Sequence, residues 1–396
     1  MKTNKLILLA IFFMLLNTLI VNASYVQIGV NENKIFDNLT LGTSTNSKWT
    51  VMIYMDADND LEQFGIYNFL QMSEIGSTND VNIVVQFDRI SGYDNSYDDW
   101  TSAKRYYIQK NMLPNSNSAL MDIGEVDMGN WNTLKDFYTW AIYNYPAEKY
   151  CLVLWDHGSG WKMSGENVPP IKCICSDFTN GGEMSLQDLK YGLEIMTQQG
   201  RNPIDLICFD ACLMQMIEVG YEIRYYADYM TASEEVETAY GLTYDDALSS
   251  LISNPNVSAD ILGSYFVNSY KYETMSTVDL QSFDYLKDAV SNLGNYLQVE
   301  EYKKDIEDAI NNVETYYDFD FVDLYDFANL LKNNIDDSNI DYKADMVMTG
   351  INQAVLYEKH DYQHQRSHGI SIYMPYREYT YSYNDISFSI DTEWDE

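Results

Sequence analysis

Four short apolar runs, each followed at once by a polar or acidic turn, set the rhythm of the first half of the chain. They are W-T-V-M-I-Y-M (Trp49–Met55), Val81–Phe87, C-L-V-L-W (Cys151–Trp155) and the core of D-L-I-C-F-D (Leu206–Phe209). Their length and their Val, Ile and Phe content are those of buried strands. Helical patterns lie between them. Asn59 with Glu62 reads as a capping box opening a helix to about Met72. Trp131, Leu134, Tyr138, Ala141 and Tyr145 mark a helix that ends before Pro146, and Ser185–Gln199 is helical with Gly200 as its stop. Lys104–Gln109 reads as a hairpin strand, and Tyr229–Ser233 as a strand leading into Glu234-Glu235. Leu213, Met216, Ile217 and Gly220 stand at helical spacing, so the chain is expected to turn from strand to helix near Ala211, placing Cys212 at a helix start. Strands alternating with helices predict a mainly parallel sheet covered on both faces.

The pattern changes after about residue 255. Helical stretches near 257–270, 283–298 and 323–333 dominate, with strand-like runs at Met275–Leu280 and Gly369–Met374. The expected division is a signal peptide at 1–23, a polar leader at 24–48, an α/β domain at 49–254 and a mixed, more helical region at 255–396 packed on it. Lys2 and Lys5 before an apolar run from Leu6 to Val21, with Val21-Asn22-Ala23 as a cleavage site, form the secretory pattern. The alternative is a retained anchor, for which the run is short and lacks basic residues beyond it. A secreted protein, a monomer free of the membrane once the signal is removed, is expected.

Sixty acidic residues against 24 basic give a net charge of −36. Nucleic acid is an improbable partner, because phosphate binding runs on Lys and Arg. An acidic surface favours solubility and can attract basic substrates. Five cysteines do not make a disulfide framework in a chain of this size, and the odd number leaves a thiol to be accounted for.

Two residues stand where chemistry is expected. His157, followed by Gly158, lies just past the Cys151–Trp155 strand, and Cys212 just past the Leu206–Phe209 strand. Open α/β sheets bind ligands at the carboxyl ends of their strands. Adjacent parallel strands would there bring together an imidazole base and a thiol nucleophile. Backbone N–H groups of Gly158 and Cys212 are candidate oxyanion donors. A helix start would also lower the thiol pKa.

Five segments carry a family likeness: W-T-V-M-I-Y-M-D-A-D-N-D-L-E (Trp49–Glu62), L-V-L-W-D-H-G-S-G-W (Leu152–Trp161), D-L-I-C-F-D-A-C-L-M (Asp205–Met214), Y-A-D-Y-M-T-A-S-E-E (Tyr226–Glu235) and G-I-S-I-Y-M-P (Gly369–Pro375). In these the chain resembles the clostripain family of cysteine peptidases, in the clan of caspases, legumains and gingipains. The resemblance implies a caspase-like three-layer α/β sandwich and peptide hydrolysis by His157 and Cys212. It further implies cleavage after Arg or Lys, with Asp210 in the primary specificity pocket and protein or peptide substrates carrying basic residues. Glu234 and Glu235 match the family's S-E-E. The following Glu237-Thr238-Ala239-Tyr240-Gly241 departs from the family's Pro/Gly turn with another acid, which bears on the pocket rim. The resemblance also implies a zymogen cut between the His and Cys strands, where Lys172 is a better self-cleavage candidate than Lys162.

No cofactor is certain. The resemblance allows calcium, but Asp56, Asp58 and Asp60 do not form an EF-hand, whose sixth and twelfth positions are here Leu61 and Tyr67, so the metal ligands are unknown. Cys173, Cys175, Cys208 and Cys212 lack zinc-module spacing. His360, His364 and His368 recur every four residues but run into a strand, which favours a loop. The rival reading is a catalytically silent exported binding or surface protein on the same fold; a glycosidase with paired carboxylates is a third.

Overall fold

The computed structural model describes residues 47–161, 174–317, 319–375, 381–392 and 394. The expected signal peptide, nearly all of the leader, and both Lys162 and Lys172 lie outside the described residues.

The apolar runs form strands in a nine-stranded sheet. In chain order the strands of the protein are β1 (Ser47–Ala57), β2 (Val81–Arg89), β3 (Ala103–Tyr107), β4 (Met121–Gly124), β5 (Ala147–Trp155), β6 (Ile174–Asp177), β7 (Gly182–Met184), β8 (Ile204–Asp210), β9 (Ala227–Ala232), β10 (Thr274–Asp279), β11 (Phe321–Asp323), β12 (Val355–His360) and β13 (Ser371–Tyr373). The sheet order is β12-β10-β9-β8-β5-β1-β2-β3-β4. Its centre, β9-β8-β5-β1-β2, is parallel, and antiparallel strands close both sides. The remaining strands make two small pairs, β6 with β7 and β11 with β13.

Alternation along each central strand sends side chains to opposite faces. Met52, Tyr54, Leu152, Leu154, Ile207 and Phe209 enter one core, under helices Trp131–Asn144, Leu186–Met196, Ile217–Ile223 and Phe283–Leu297. Val51, Ile53, Cys151, Val153, Leu206 and Cys208 enter the other, under helices Glu62–Ile75, Tyr244–Ser253 and Ala259–Ser269. This is a three-layer α/β sandwich with a mainly parallel central sheet. Each fully buried Val, Leu, Ile or Phe side chain of this kind contributes about 1.5–3 kcal/mol, which holds the central strands in register.

The region after residue 255 is continuous with the part before it. β10 and β12 extend the same sheet, and residues 46–396 form one compact unit. Helix Ser338–Ala354 was not anticipated from periodicity. Among the described residues no helix is long and apolar enough to cross a membrane.

Two local expectations are corrected. The capping box at Asn59 and Glu62 does not form: the helix starts at Glu62 without a side-chain cap. Asn59 Oδ1 instead accepts from the Leu61 N–H at 2.9 Å, and Glu62 is drawn into a fully buried ion pair with Arg89 Nε at 2.7 Å. Nor does a helix begin near Ala211. It begins at Ile217, because the backbone of Leu213 and Gln215 bonds to segments distant in sequence instead of forming helical i→i−4 bonds. Leu213 N–H donates to Glu235 O, Gln215 N–H to Ser233 O, and Ser371 N–H to Gln215 O. The apolar residues that suggested a helix, Leu213 in a turn at φ +64° and Met216 just before the helix, are buried in this non-helical segment.

Candidate active site

The parallel register of β5 and β8 decides what meets what. Trp155 pairs with Asp210, and the Asp156 N–H donates to Asp210 O at 3.2 Å. Two residues beyond that last pair stand His157 on one strand end and Cys212 on the other. Gly158 packs against the Cys212 backbone: a Cβ there would lie 2.4 Å from Cys212 O, so only glycine lets the two ends approach. His157 and Cys212 line one cavity of about 200 Å³ together with Trp155, Asp210, Glu237, Thr238 and Gly241.

His157 Nε2 lies 2.8 Å from Asp60 Oδ1. The carboxylate favours the tautomer with its proton on Nε2, which leaves Nδ1 as the acceptor. Asp60 was not singled out for this role from the sequence. It was visible only as one of three acids in D-A-D-N-D, at the end of a strand whose neighbour, β5, the sequence does not identify.

Cys212 is half-buried, and its thiol faces Glu237 O at 3.8 Å. Burial, followed by the negative charge of Glu237, pushes its pKa up to about 12; a backbone hydrogen bond from Gly158 acts in the opposite direction. The pKa lowering expected from a helix start is therefore absent, since the helix begins five residues later.

Asp210 forms the cavity floor and is buried. Its Oδ1 accepts from Leu242 N–H at 2.9 Å and its Oδ2 from Tyr244 OH at 2.8 Å. Burial raises its pKa to about 6, and a hydrogen bond with the side chain of Glu237 ties the two acids together. Glu237 is pushed well above the carboxylate range by burial and then by the Asp210 charge. Gly241, at φ +61°, sits directly over this carboxylate; a Cβ there would fall 2.4 Å from Asp210 Oδ1. Glu237 Oε2 and Thr238 Oγ1 are buried at the cavity with no partner among the described residues.

Glu234 and Glu235 are not brought to the cavity. Glu234 accepts from Tyr316 OH at 2.8 Å and from Gly369 N–H at 3.2 Å. Glu235 accepts from Val236 and Tyr317 N–H groups and faces His364. The S-E-E likeness thus falls on residues that fasten the C-terminal part of the chain, and the pocket acid is Glu237. His364 and His368 lie outside any helix, each against a carboxylate, Glu314 and Asp323 respectively. The four described cysteines are free of disulfides, and among the described residues the group suited to a metal contains no cysteine: it is Asp58, Glu125 and Asp177.

The chain is similar to known proteins over most of its length. The model of the clostripain family (Peptidase C11) matches residues 53–396. Clostripain of Hathewaya histolytica is 25% identical, covering 85% of this chain and 76% of that protein. Among solved structures, a secreted C11 cysteine protease from Bacteroides thetaiotaomicron in complex with an irreversible peptide inhibitor superposes with a TM-score of 0.66 at 19% identity, covering 88% of this chain and 99% of that one. An inactive zymogen C11 protease from Parabacteroides distasonis gives 0.64 at 19% identity, with 89% and 99% coverage. The structural likenesses show the caspase-like fold, and the family match covers both strand ends that carry His157 and Cys212. The chain belongs to the clostripain family of cysteine peptidases.

Proposed function

We propose that this cysteine peptidase cleaves peptide bonds after Arg or Lys, using His157 and Cys212 as its dyad. The observation that carries this reading is the cavity itself, where a thiol and an imidazole stand over a floor of two buried acids with an unpartnered oxygen. A guanidinium or ammonium entering the cavity meets Glu237 Oε2 and Thr238 Oγ1, which find no partner among the described residues, with the carboxylate of Asp210 also lining the cavity. Such a cation lowers both acids' pKa values and releases their shared proton.

The chemistry follows from the protonation states. As the sulfur attacks the scissile carbonyl, its proton passes to His157 Nδ1. The other ring proton stays on Nε2, which donates it to Asp60 in a hydrogen bond; Asp60 stabilises the imidazolium and holds the ring, making it a positioning residue. The Gly158 and Cys212 N–H groups receive the oxyanion. Collapse of the tetrahedral adduct breaks the C–N bond, and the imidazolium proton leaves with the amine. Water, deprotonated by the same imidazole, then hydrolyses the thioester and frees the sulfur.

Export by residues 1–23 and self-processing at Lys172 belong to the same reading. The secreted Bacteroides relative and the Parabacteroides zymogen support them by analogy. Fluorogenic Arg, Lys and neutral peptides, offered with and without a thiol alkylator, test the reading directly. Alkylator-sensitive cleavage of the basic peptides, abolished in Cys212→Ala, is expected. Equal turnover of neutral peptides would remove the specificity claim, and no turnover would leave the silent binding protein as the better account. Cys212→Ala protein should remain a single chain; a cut at Lys172 in it would assign processing to another protease.

A further inference from the structure

Helix Glu62–Ile75 carries a carboxamide where packing alone calls for an apolar side chain. Asn68 is fully buried, on a helix that also buries Gly65, Phe69 and Met72. Asparagine is a poor residue for a helix interior, and a buried amide is costly unless its polar atoms are bonded. Leucine, of nearly the same shape, would fill the core without that cost. The carbonyl and both N–H bonds of Asn68 are in fact engaged. Oδ1 accepts from the indole Nε1 of Trp155, the last residue of β5, at 2.9 Å. Nδ2 donates to Tyr240 O and to Gln71 Oε1, each at 3.0 Å, and Leu242 O lies 3.5 Å from the same nitrogen. The orientation of the amide is forced, because an indole N–H only donates and a backbone carbonyl only accepts.

These partners belong to two walls of the catalytic cavity. Trp155 lines it from β5, in register with Asp210, and Gly241 lines it from the turn after Glu237. Tyr240 and Leu242 flank that glycine, which lies over the Asp210 carboxylate, and Leu242 N–H is the donor to Asp210 Oδ1. At φ +61° a glycine meets no steric cost and receives little steric guidance, so bonds must hold the turn. Gly241 N–H donates to Thr238 O at 2.8 Å within it. From the helix, the rings of Phe64 and Tyr67 meet Tyr240 edge-on, with centroids 5.3 and 5.4 Å away. Asn68 adds the polar link from β5 to the turn, and a buried polar network with its groups satisfied rigidifies what it joins.

We propose that Asn68 is a positioning residue for substrate selection: its carboxamide ties the Tyr240–Leu242 turn to Trp155, holds Gly241 over Asp210, and so fixes the space that the substrate side chain before the scissile bond enters. Asn68 itself lies behind the cavity wall and acts only through these partners. Releasing the turn frees Gly241 to move and Leu242 N–H to leave Asp210, which widens the cavity and loosens its floor. The effect falls on binding of that one side chain and leaves His157 and Cys212 as they are. The inference rests on the Arg/Lys reading for the identity of the side chain, and on the hydrogen bonds alone for the positioning.

The test compares full-length wild-type, Asn68→Leu and Met72→Ala proteins on fluorogenic peptides that differ only in the residue before the scissile bond: Arg, Lys and several neutral ones. Asn68→Leu keeps the volume and suits the helix, yet leaves Trp155 Nε1 and Tyr240 O without this partner. Its selectivity, the ratio of kcat/KM between the best and the poorest peptide, should fall ~10-fold, the scale of one lost pocket hydrogen bond. The loss should lie in KM for the best peptide, with kcat within about two-fold, as expected of binding shared by ground and transition states. Asn68→Ala removes the same bonds without adding atoms to the core, and gives the same reading should the leucine not pack. Met72→Ala, one turn further along the helix, opens a void in the same core and should lower the melting temperature at unchanged selectivity. Unchanged selectivity in a folded Asn68 variant, a loss carried by kcat alone, or an equal loss in Met72→Ala would each overturn the proposal. A wild type that prefers a neutral residue removes the Arg/Lys reading and not this one, since the ratio is then read on the preferred residue. A wild type without selectivity or turnover removes both.

Discussion

Glu237 and Glu234 are three residues apart, both buried and each paired with an aspartate, yet they differ in what their oxygens find. Glu234 is fully engaged: Tyr316 OH and Gly369 N–H bond one oxygen each. Its partner Asp323 accepts from Asp326 N–H at 2.6 Å and from His368 N–H at 2.6 Å. Glu237 holds Ala211 N–H at 3.3 Å with one oxygen, and among the described residues no N–H or hydroxyl donates to the other, at the cavity beside Asp210. Burial raises the pKa of both acids, so a shifted pKa does not separate a binding acid from a structural one. Satisfaction does. A buried network with every lone pair used rigidifies its surroundings, while one left incomplete beside a cavity is a place for a ligand.

Variants can break or sharpen this contrast. The largest effect should come from Asp60→Asn, which acts on the imidazole and on neither acid pair. We expect kcat to fall about 100-fold or more, equally for Arg and neutral peptides; a substrate-dependent loss would place Asp60 in the pocket instead. Asp210→Asn should lower kcat/KM for Arg peptides by ~30-fold or more, from roughly 2 kcal/mol of lost pairing, and leave neutral peptides within a few-fold. Glu237→Gln keeps one acceptor and should give a smaller loss of the Arg preference, about 10-fold. Glu234→Gln should leave the Arg-to-neutral ratio unchanged and lower stability by about 1–3 kcal/mol; a changed ratio would refute the division between the two pairs.

The smallest effect is in pH dependence. The folded-state pKa of Asp210, about 6, lies above its ordinary value. Its stabilising contribution is therefore complete below the ordinary carboxylate range and is lost as pH rises through about 6. Wild-type melting temperature should fall more steeply than that of Asp210→Asn between pH 4 and about 7. The Arg-to-neutral ratio should rise over the same window, because the ionised acid pairs with the guanidinium.

What was legible in the sequence followed from local pattern. Cys151–Trp155 and Leu206–Phe209 are short, apolar and bounded by acids, and they became the central strands β5 and β8. Gly158 beside His157, and Asp210 two residues before Cys212, fell where those strands end. The segment after Ala211 was misread because Leu213 and Met216 fit helical spacing equally well as they fit a non-helical segment pinned by Ser233, Glu235 and Ser371. S-E-E pointed to Glu234 and Glu235 because likeness marks a segment, not the direction in which each side chain faces.

The sequence by itself determined the strand ends, and with them the places of His157, Cys212 and Asp210, because burial of short apolar runs is a local decision. Only the tertiary structure decided which acid turned to the cavity and that Asp60 reached His157. It alone also buried the thiol, which raises its pKa, and gathered Asp58, Glu125 and Asp177 from three separate segments. Those outcomes depend on strand register and on which buried oxygens find donors, and both are set by chain segments far apart in sequence.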